Sequence, residues 1–442
     1  MTQPKPATSA LPAIELIPLH GAIVTQQPIT LDVLVRITPP AIALTTDRLP
    51  LNLSLAIDRS GSMRGQKMHY AREAARFAIE NLLPCDRISV VLFDDRIETL
   101  VPSTLATDKH ALLEQVRHVH SRGSTALHAG WVEGGVQVSQ YLNPAQLNRV
   151  IVLSDGLANV GETRPDAIAS DVHGLGQRGV STTTLGIGDD YSEDLLAAMA
   201  RSGDGNFFHI ESADQLPSIF ETELSGLAAT LGQRVSLGLQ PAQGVVVMDV
   251  LNDFEQTATQ RYKLPNLMVG SPIQVVVRLQ VPALSQSGEL MQVRLAWDDA
   301  ERPGRQVLRA GLELPMVSAE QFSDFPADAA VQEQVALLMA ARARREAIQY
   351  SDRGDYAAAS ASLSQVRLNM AAMAPSEALL EEQAILQDLE VDYLSGNVAS
   401  ARKKAFSQSF NMSRTGKSKP RRSMDARDAR DAKDDKSSPD SH

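Results

Sequence analysis

The chain has 442 residues, too many for one ordinary core, and at roughly 150 residues per domain it predicts two or three. A hydrophobic fraction of 43% can fill sizeable cores, and a formal net charge of −11 argues against nucleic acid as the main partner, because phosphate binding needs a basic surface. Cys85 is the single cysteine, which excludes an intramolecular disulfide and a Cys-cluster zinc site and fits a reducing compartment.

Residues 1–13 hold three prolines and lack the basic and apolar regions of a secretory signal, so they read as a flexible N-terminus. No apolar run approaches the ~20 residues of a membrane-spanning helix, so the expectation is a cytoplasmic protein with no membrane partner. Ile14–His20 and Ile29–Ile37 alternate apolar and polar residues, the period of half-buried antiparallel strands. Leu51–Ile57 is an apolar stretch that reads as a buried strand of a parallel sheet. It ends in Asp58-Arg59-Ser60-Gly61-Ser62, where one carboxylate and two hydroxyls, spaced two residues apart on a turn, can point at one small volume. Gly61-Ser62-Met63 then opens a helix.

Residues 48–229 repeat a βα pattern. Helices are expected over Gln66–Leu82, Asp108–Val119, Ala126–Tyr141, Arg164–Gln177, Glu193–Ala200 and Ala213–Leu227. They alternate with strands over Arg87–Phe93, Arg149–Leu153, Ser181–Ile187 and Asn206–Ile210, and Ile97–Val101 is a short antiparallel edge. The alternation specifies a parallel sheet covered on both faces. Arg122-Gly123-Ser124-Thr125, ahead of one helix, offers a third hydroxyl. Val150–Gly156 is a second apolar strand, and it ends in a second carboxylate, Asp155. Ligands of an open parallel sheet collect outside the carboxyl ends of its strands, so these three loops can converge.

Strand texture returns in Gln233–Leu239, Gly244–Val250, Ile273–Leu279 and Met291–Trp297. Residues 14–47 and 230–315 are therefore expected to form one β-sandwich, with the α/β domain inserted in it. The 326–410 region is Ala-rich and helical. Its segments Tyr350–Ala359 and Tyr393–Ala401 echo each other, with Gly354 and Gly396 42 residues apart, and predict two similar helical hairpins. That period is longer than the roughly 34 residues of a tetratricopeptide unit, and a plain three- or four-helix bundle fits as well. Residues 411–442 alternate charge and Ser and read as a disordered tail. Gly416-Lys417-Ser418 is not a phosphate loop, because Asn411 stands where the first Gly is required and no strand precedes it.

A Ser-Gly-Ser turn alone is common, and an Asp at a strand end often only caps a helix. Thr125 and Asp155 at matching places turn the set Asp58, Ser60, Ser62, Thr125 and Asp155 into a coherent group of hard oxygen donors for Mg²⁺ or Mn²⁺. The order D-x-S-x-S, then Thr, then Asp resembles the metal-ion-dependent adhesion site of the von Willebrand factor type A family, over roughly residues 48–229. Two departures are Ser124, where a second Gly is usual, and the bulky charged Arg59, which is expected to influence which partner is admitted.

The resemblance implies a doubly wound, mostly parallel sheet. It implies a Mg²⁺ (or Mn²⁺) ion held by Ser60, Ser62 and Thr125 directly or through water, with Asp58 and Asp155 on the ion or one water away. It further implies an open coordination position that accepts an Asp or Glu of a protein partner. Intracellular bacterial proteins with this resemblance work beside AAA+ ATPases, kinases or phosphatases. The expected function is accordingly a non-enzymatic binding module, an adaptor or assembly factor.

The alternative is a metal-dependent hydrolase or phosphotransferase using the same site, which needs a general base. His128, one turn after Thr125, is the best candidate, yet a His on a surface helix is more often merely solvated. A haloacid-dehalogenase-like phosphatase needs a second Asp where Ser60 stands. His118 and His120, two apart on a helix, point to different sides. A RING-bearing ligase needs several cysteines.

Overall fold

The computed structural model describes residues 11–40, 50–143, 146–155, 158–188, 191–220, 223, 230–257, 259–299, 302 and 304–415. Leu51–Asp58 is buried along its whole length and lies at the centre of a six-stranded sheet. It pairs in parallel with Arg87–Phe93 on one side and with Leu147–Ser154 on the other. Val180–Ile187 and Asp204–Ile210 continue the parallel order, and Ile97–Leu105 closes the opposite edge antiparallel to Arg87–Phe93. That edge strand runs past the expected Val101, because two register irregularities let it keep pairing as far as Leu105 with Arg87.

Alternate residues of the central strand serve the two faces. Leu51, Leu53, Leu55 and Ile57 pack against Met68, Ala71, Ala75 and Ile79 of the helix Gln66–Asn81 and against Leu112 and Val116 of Lys109–Arg117. Ala56, with Val150 and Val152, faces Leu127, Trp131 and Val138 of the helix Leu127–Ser139. Pro165–Gln177 and Glu193–Ser202 complete that layer. The helix expected over Ala213–Leu227 begins as a 3₁₀ turn, Ala213–Gln215, and is helical over 216–220. Most of the rest of that segment lies outside the described residues.

On either side of this α/β unit the chain builds a second core. Ile29–Thr38 pairs antiparallel with Ala13–Pro18 and with Ile273–Val281, Ile29 opposite Val281 and Ile37 opposite Ile273. Segments more than 200 residues apart thus share one four-stranded sheet, which Val246–Val250 completes. Its inner residues Leu31, Val33, Val35, Val275 and Val277 cluster with Leu237, Val293, Leu295 and Trp297 of a facing five-stranded sheet. That second sheet is built on Thr230–Pro241, Glu289–Asp299 and Arg305–Glu313. Residues 41–47, assigned above to the sandwich, lie outside the described residues, as do 1–10.

Among the described residues four α-helices follow: Ala329–Asp352, Tyr356–Ala371, Glu377–Ser395 and Val398–Thr415. Asp328, Asp355 and Ser376 cap the first three by accepting main-chain N–H bonds. Gly354 and Gly396, the echoed glycines, adopt positive φ (77° and 87°) where the first and third helices end. The first helix lays Val331 and Leu338 on Leu34, Val276 and Leu251 of the sandwich, and its Arg342 donates to both carboxylate oxygens of Asp249.

The last helix corrects the expected boundary at residue 410, since it continues to Thr415 instead of giving way to the tail at 411. Tertiary packing is the reason: Phe410 and Met412 are buried, and Phe406 and Phe410 both meet the ring of Phe207 edge-on. Residues 416–442, the rest of the expected tail, lie outside the described residues. Among the described residues no helix is long and apolar enough to cross a membrane.

Candidate functional site

Asp58 closes the central strand with its carboxylate fully buried. Its Oδ1 accepts from the Ser60 main-chain N–H (2.8 Å) and its Oδ2 from the Ser154 hydroxyl (2.5 Å), which holds the first turn against the end of the neighbouring strand. The Ser60 and Ser62 hydroxyls lie 3.0 Å apart, and Ser62 donates to Asp155 Oδ1 at 2.8 Å. Two serines and two carboxylates from adjacent strand ends therefore form one contiguous polar cluster.

Two main-chain hydrogen bonds join the Thr125 loop to this turn: Arg122 N–H to Arg59 O (2.5 Å) and Gly61 N–H to Gly123 O (3.0 Å). Gly123 has φ +71°, and a Cβ there would stand 2.2 Å from Asp95 Oδ1, so this crossing requires glycine. Asn159 fixes the third loop, its Oδ1 accepting from Thr125 N–H (2.8 Å) while its own N–H and that of Val160 donate to Thr125 O. Thr125 is consequently buried between the first and third loops. Asp58, Ser60, Ser62 and Asp155 are linked side chain by side chain or through the Ser60 amide; Thr125 reaches them through the backbone.

Burial pushes the Asp58 carboxyl up to about 6, and the nearby Asp155 adds to the rise against the hydrogen bonds from Ser154 and Ser60. Arg59 is buried, and its guanidinium donates from Nε to Asp94 (2.8 Å) and from Nη1 to Glu98 (2.7 Å). Arg122, more exposed, donates to the same Asp94 oxygen. Burial opposes ionisation of Asp94, and the hydrogen bonds from Arg122, the Arg96 amide and Arg59 outweigh it, holding the carboxyl below the usual range.

Sequence reasoning missed Ser154, Asn159 and Lys67. Ser154 adjoins Asp155, and Lys67 lies in the first turn of the helix that the motif opens, so position along the chain was the available signal. Lys67 Nζ stands 2.5 Å from Asp155 Oδ2. The histidines fall elsewhere: His128 pairs with Asp171 (2.9 Å) and stacks on Trp131, and His118 pairs with Glu114 (2.9 Å).

Among the described residues no group of three or more His, Cys, Asp or Glu side chains is placed to hold a metal. A cation here would instead rest on hydroxyls with two carboxylates beside them, an all-oxygen set that suits a hard ion. The Lys67 ammonium on Asp155 already stands in for positive charge at that carboxylate, and the residues fit such an ion.

Residues 52–222 match the model of the von Willebrand factor type A domain. The chain is 25% identical over 309 residues to the uncharacterized protein sll0103 of Synechocystis, across 66% of this chain and 71% of that one. It is also 25% identical over 198 residues to the uncharacterized protein YfbK of Escherichia coli, where the match covers 44% of this chain and about a third, 34%, of YfbK. A solved von Willebrand factor type A structure from Catenulispora acidiphila superimposes over 94% of this chain and 99% of its own, with a TM-score of 0.66 at 16% identity, a likeness of fold alone. The family match and the helix-covered, mostly parallel sheet together place a von Willebrand factor type A domain in this chain.

Proposed function

We propose that the chain is a non-enzymatic, divalent-cation-dependent protein-binding module, an adaptor or assembly factor. In this reading Asp58, Ser60, Ser62, Thr125 and Asp155 hold Mg²⁺ (or Mn²⁺), and an Asp or Glu of a protein partner completes the coordination. The observation that carries it is the unbroken run Ser60–Ser62–Asp155, with hydroxyl contacts of 3.0 and 2.8 Å, at the end of the central strand beside buried Asp58. Von Willebrand factor type A domains often mediate protein–protein interaction, which agrees with it.

Bound there, the ion supplies an electrophilic centre for a carboxylate. The chain's own residues do the positioning. Asp58 holds the Ser60 amide and the Ser154 hydroxyl, and Asn159 holds both main-chain groups of Thr125, so the hydroxyl-bearing loops are set before a ligand arrives. Hydroxyl-rich ligation leaves such an ion under-neutralised, so a carboxylate arriving from a partner gains a short, strong contact. His128, the histidine considered above as a general base, pairs with Asp171, which sets it apart from the hydroxyl and carboxylate cluster of the proposed site. The single Cys85 supports a cytoplasmic setting, where AAA+ ATPase, kinase or phosphatase systems are the first partners to test.

Calorimetric titration of Mg²⁺ and Mn²⁺ tests the site. Wild type is expected to bind one ion and an Asp58→Ala/Asp155→Ala variant none, and identical isotherms would remove the assignment. Partner capture in Mg²⁺, in EDTA and by Thr125→Ala then tests the function. Equal capture in all three sinks the adhesion mechanism, and phosphate-ester turnover lost in Asp58→Ala would put the hydrolase in its place.

A further inference from the structure

Lys67 belongs to neither the hydroxyl motif nor the proposed ligand set, yet it occupies one of the two oxygens of a fully buried carboxylate. Its Nζ lies 2.5 Å from Asp155 Oδ2, while Asp155 Oδ1 accepts from Ser62. A second element clears its path. Gly188, just past the strand Val180–Ile187, has φ +76°, and a Cβ there would stand 2.8 Å from Lys67 Cε. The helix Gln66–Asn81, the Asp155 loop and the Gly188 turn therefore cooperate to deliver one ammonium to this carboxylate.

The charge arrangement around it is specific. Asp58 and Asp155 are both fully buried, and the two nearby arginines are engaged elsewhere, Arg59 and Arg122 both on Asp94 and Glu98. A divalent ion placed beside Ser60 and Ser62 would meet an ammonium bonded to the same Asp155. Two cations drawing on one carboxylate repel each other, and the repulsion is strong where water is excluded.

We propose that Lys67 is a built-in counter-cation that competes with the divalent ion for Asp155, holding the site together in the ion's absence and weakening its affinity for the ion. This rests on the cation-binding reading given above. Lys67 keeps Asp155 neutralised in the ion-free state, and ion entry loosens the ammonium from Oδ2. An ion that must share or displace this contact binds more weakly than the oxygen set alone would allow.

The test compares wild type, Lys67→Met, Lys67→Gln and Lys67→Arg by Mn²⁺ calorimetry, with folding checked by circular dichroism. Removing the charge is expected to tighten Mn²⁺ about tenfold, while Lys67→Arg stays close to wild type. In EDTA, Lys67→Met is expected to melt below wild type. Its melting temperature should also rise more than that of wild type when Mn²⁺ is added. A second readout uses wild type alone. Acylation of Lys67 by an N-hydroxysuccinimide ester, followed by mass spectrometry, should be slow in EDTA and faster at saturating Mn²⁺. Unchanged or weaker Mn²⁺ binding in folded Lys67→Met and Lys67→Gln, or acylation indifferent to Mn²⁺, overturns the competition and leaves the site reading standing. Absence of Mn²⁺ binding in wild type and both neutral variants overturns the two together.

Discussion

Asp58 is ionised only at a cost, because the end of the central strand buries its carboxyl and raises its pKa from 3.8 to about 6. The unfolded chain gives up this proton near 3.8, so between there and about 6 the folded state binds more protons than the unfolded one. The resulting stability is fully present below about 3.8 and is lost as the pH rises through about 6, a difference of about 3 kcal/mol by linkage. In EDTA, Asp58→Asn should therefore gain on wild type as the pH is raised from 4 to 7, and a constant gap between their melting temperatures would contradict the raised pKa. Cation binding has the opposite slope, since it draws on the ionised carboxylate, and Mn²⁺ affinity should fall by about tenfold per pH unit below 6. The positions of the five oxygen-bearing residues were legible in the sequence because each sits at a strand end or helix start that the βα rhythm marks. Their supporting residues could not. Asn159 is 34 positions from Thr125 and Lys67 is 88 from Asp155, so only closure of the three loops pairs them. The burial of Arg59 was hidden for the same reason: it depends on Asp94, 35 residues away.

Among the elements, the helix Leu127–Ser139 matters most to the site, because the Thr125 loop leads directly into it. Small residues let it approach the sheet closely. A Cβ on Gly130 would lie 2.4 Å from Phe93 Cδ1, and one on Gly134 would lie 3.1 Å from Ser54 Oγ. Gly130→Ala forces the aromatic ring or the helix to move and is expected to cost about 2–3 kcal/mol in urea unfolding, more than Gly134→Ala. The same shift should carry the Thr125 loop with it and weaken Mn²⁺ binding, whereas full-strength binding in Gly130→Ala would show that the loop is held independently of the helix. Helix positions were legible to within two residues in Gln66–Asn81, Lys109–Arg117 and Pro165–Gln177, where apolar periodicity is joined by the Asp108 cap in the second and by Pro165 at the start of the third. The close approach at Gly130 was not, because a glycine inside a helical pattern signals weakness as readily as contact.

At the scale of the whole molecule, the helical region bridges the two β-containing cores. Its first helix is fastened to the sandwich by Arg342 on Asp249, and its last helix to the α/β domain by Arg402 and Lys403 on buried Glu193. The shared sandwich was readable, since alternating strands flank the inserted βα pattern on both sides. Docking of the last helix was not readable: Arg402 and Glu193 are 209 residues apart, and the sequence shows there only two phenylalanines running toward a charged tail. Those phenylalanines carry the final prediction. Phe406 and Phe410 stand 5.9 and 6.0 Å from Phe207, edge-on to its ring, and the Ser407 hydroxyl accepts from the His209 N–H on the same strand, Asp204–Ile210. Truncating Phe410 to Ala removes a buried ring and leaves a cavity, an expected loss of about 3 kcal/mol. Phe406→Ala/Phe410→Ala should go further and release the helix, exposing the edge of the parallel sheet at Asp204–Ile210 and leaving Glu193 short of its cationic partners. Hydrogen exchange reads this directly. Amides of 204–210 should exchange faster in the double variant while those of the central strand Leu51–Asp58 keep their protection, because the contact lies at the sheet edge. Unchanged protection at 204–210 would mean that the last helix is a passenger on the α/β domain, and loss at both strands would mean that it is required for the whole fold of that domain.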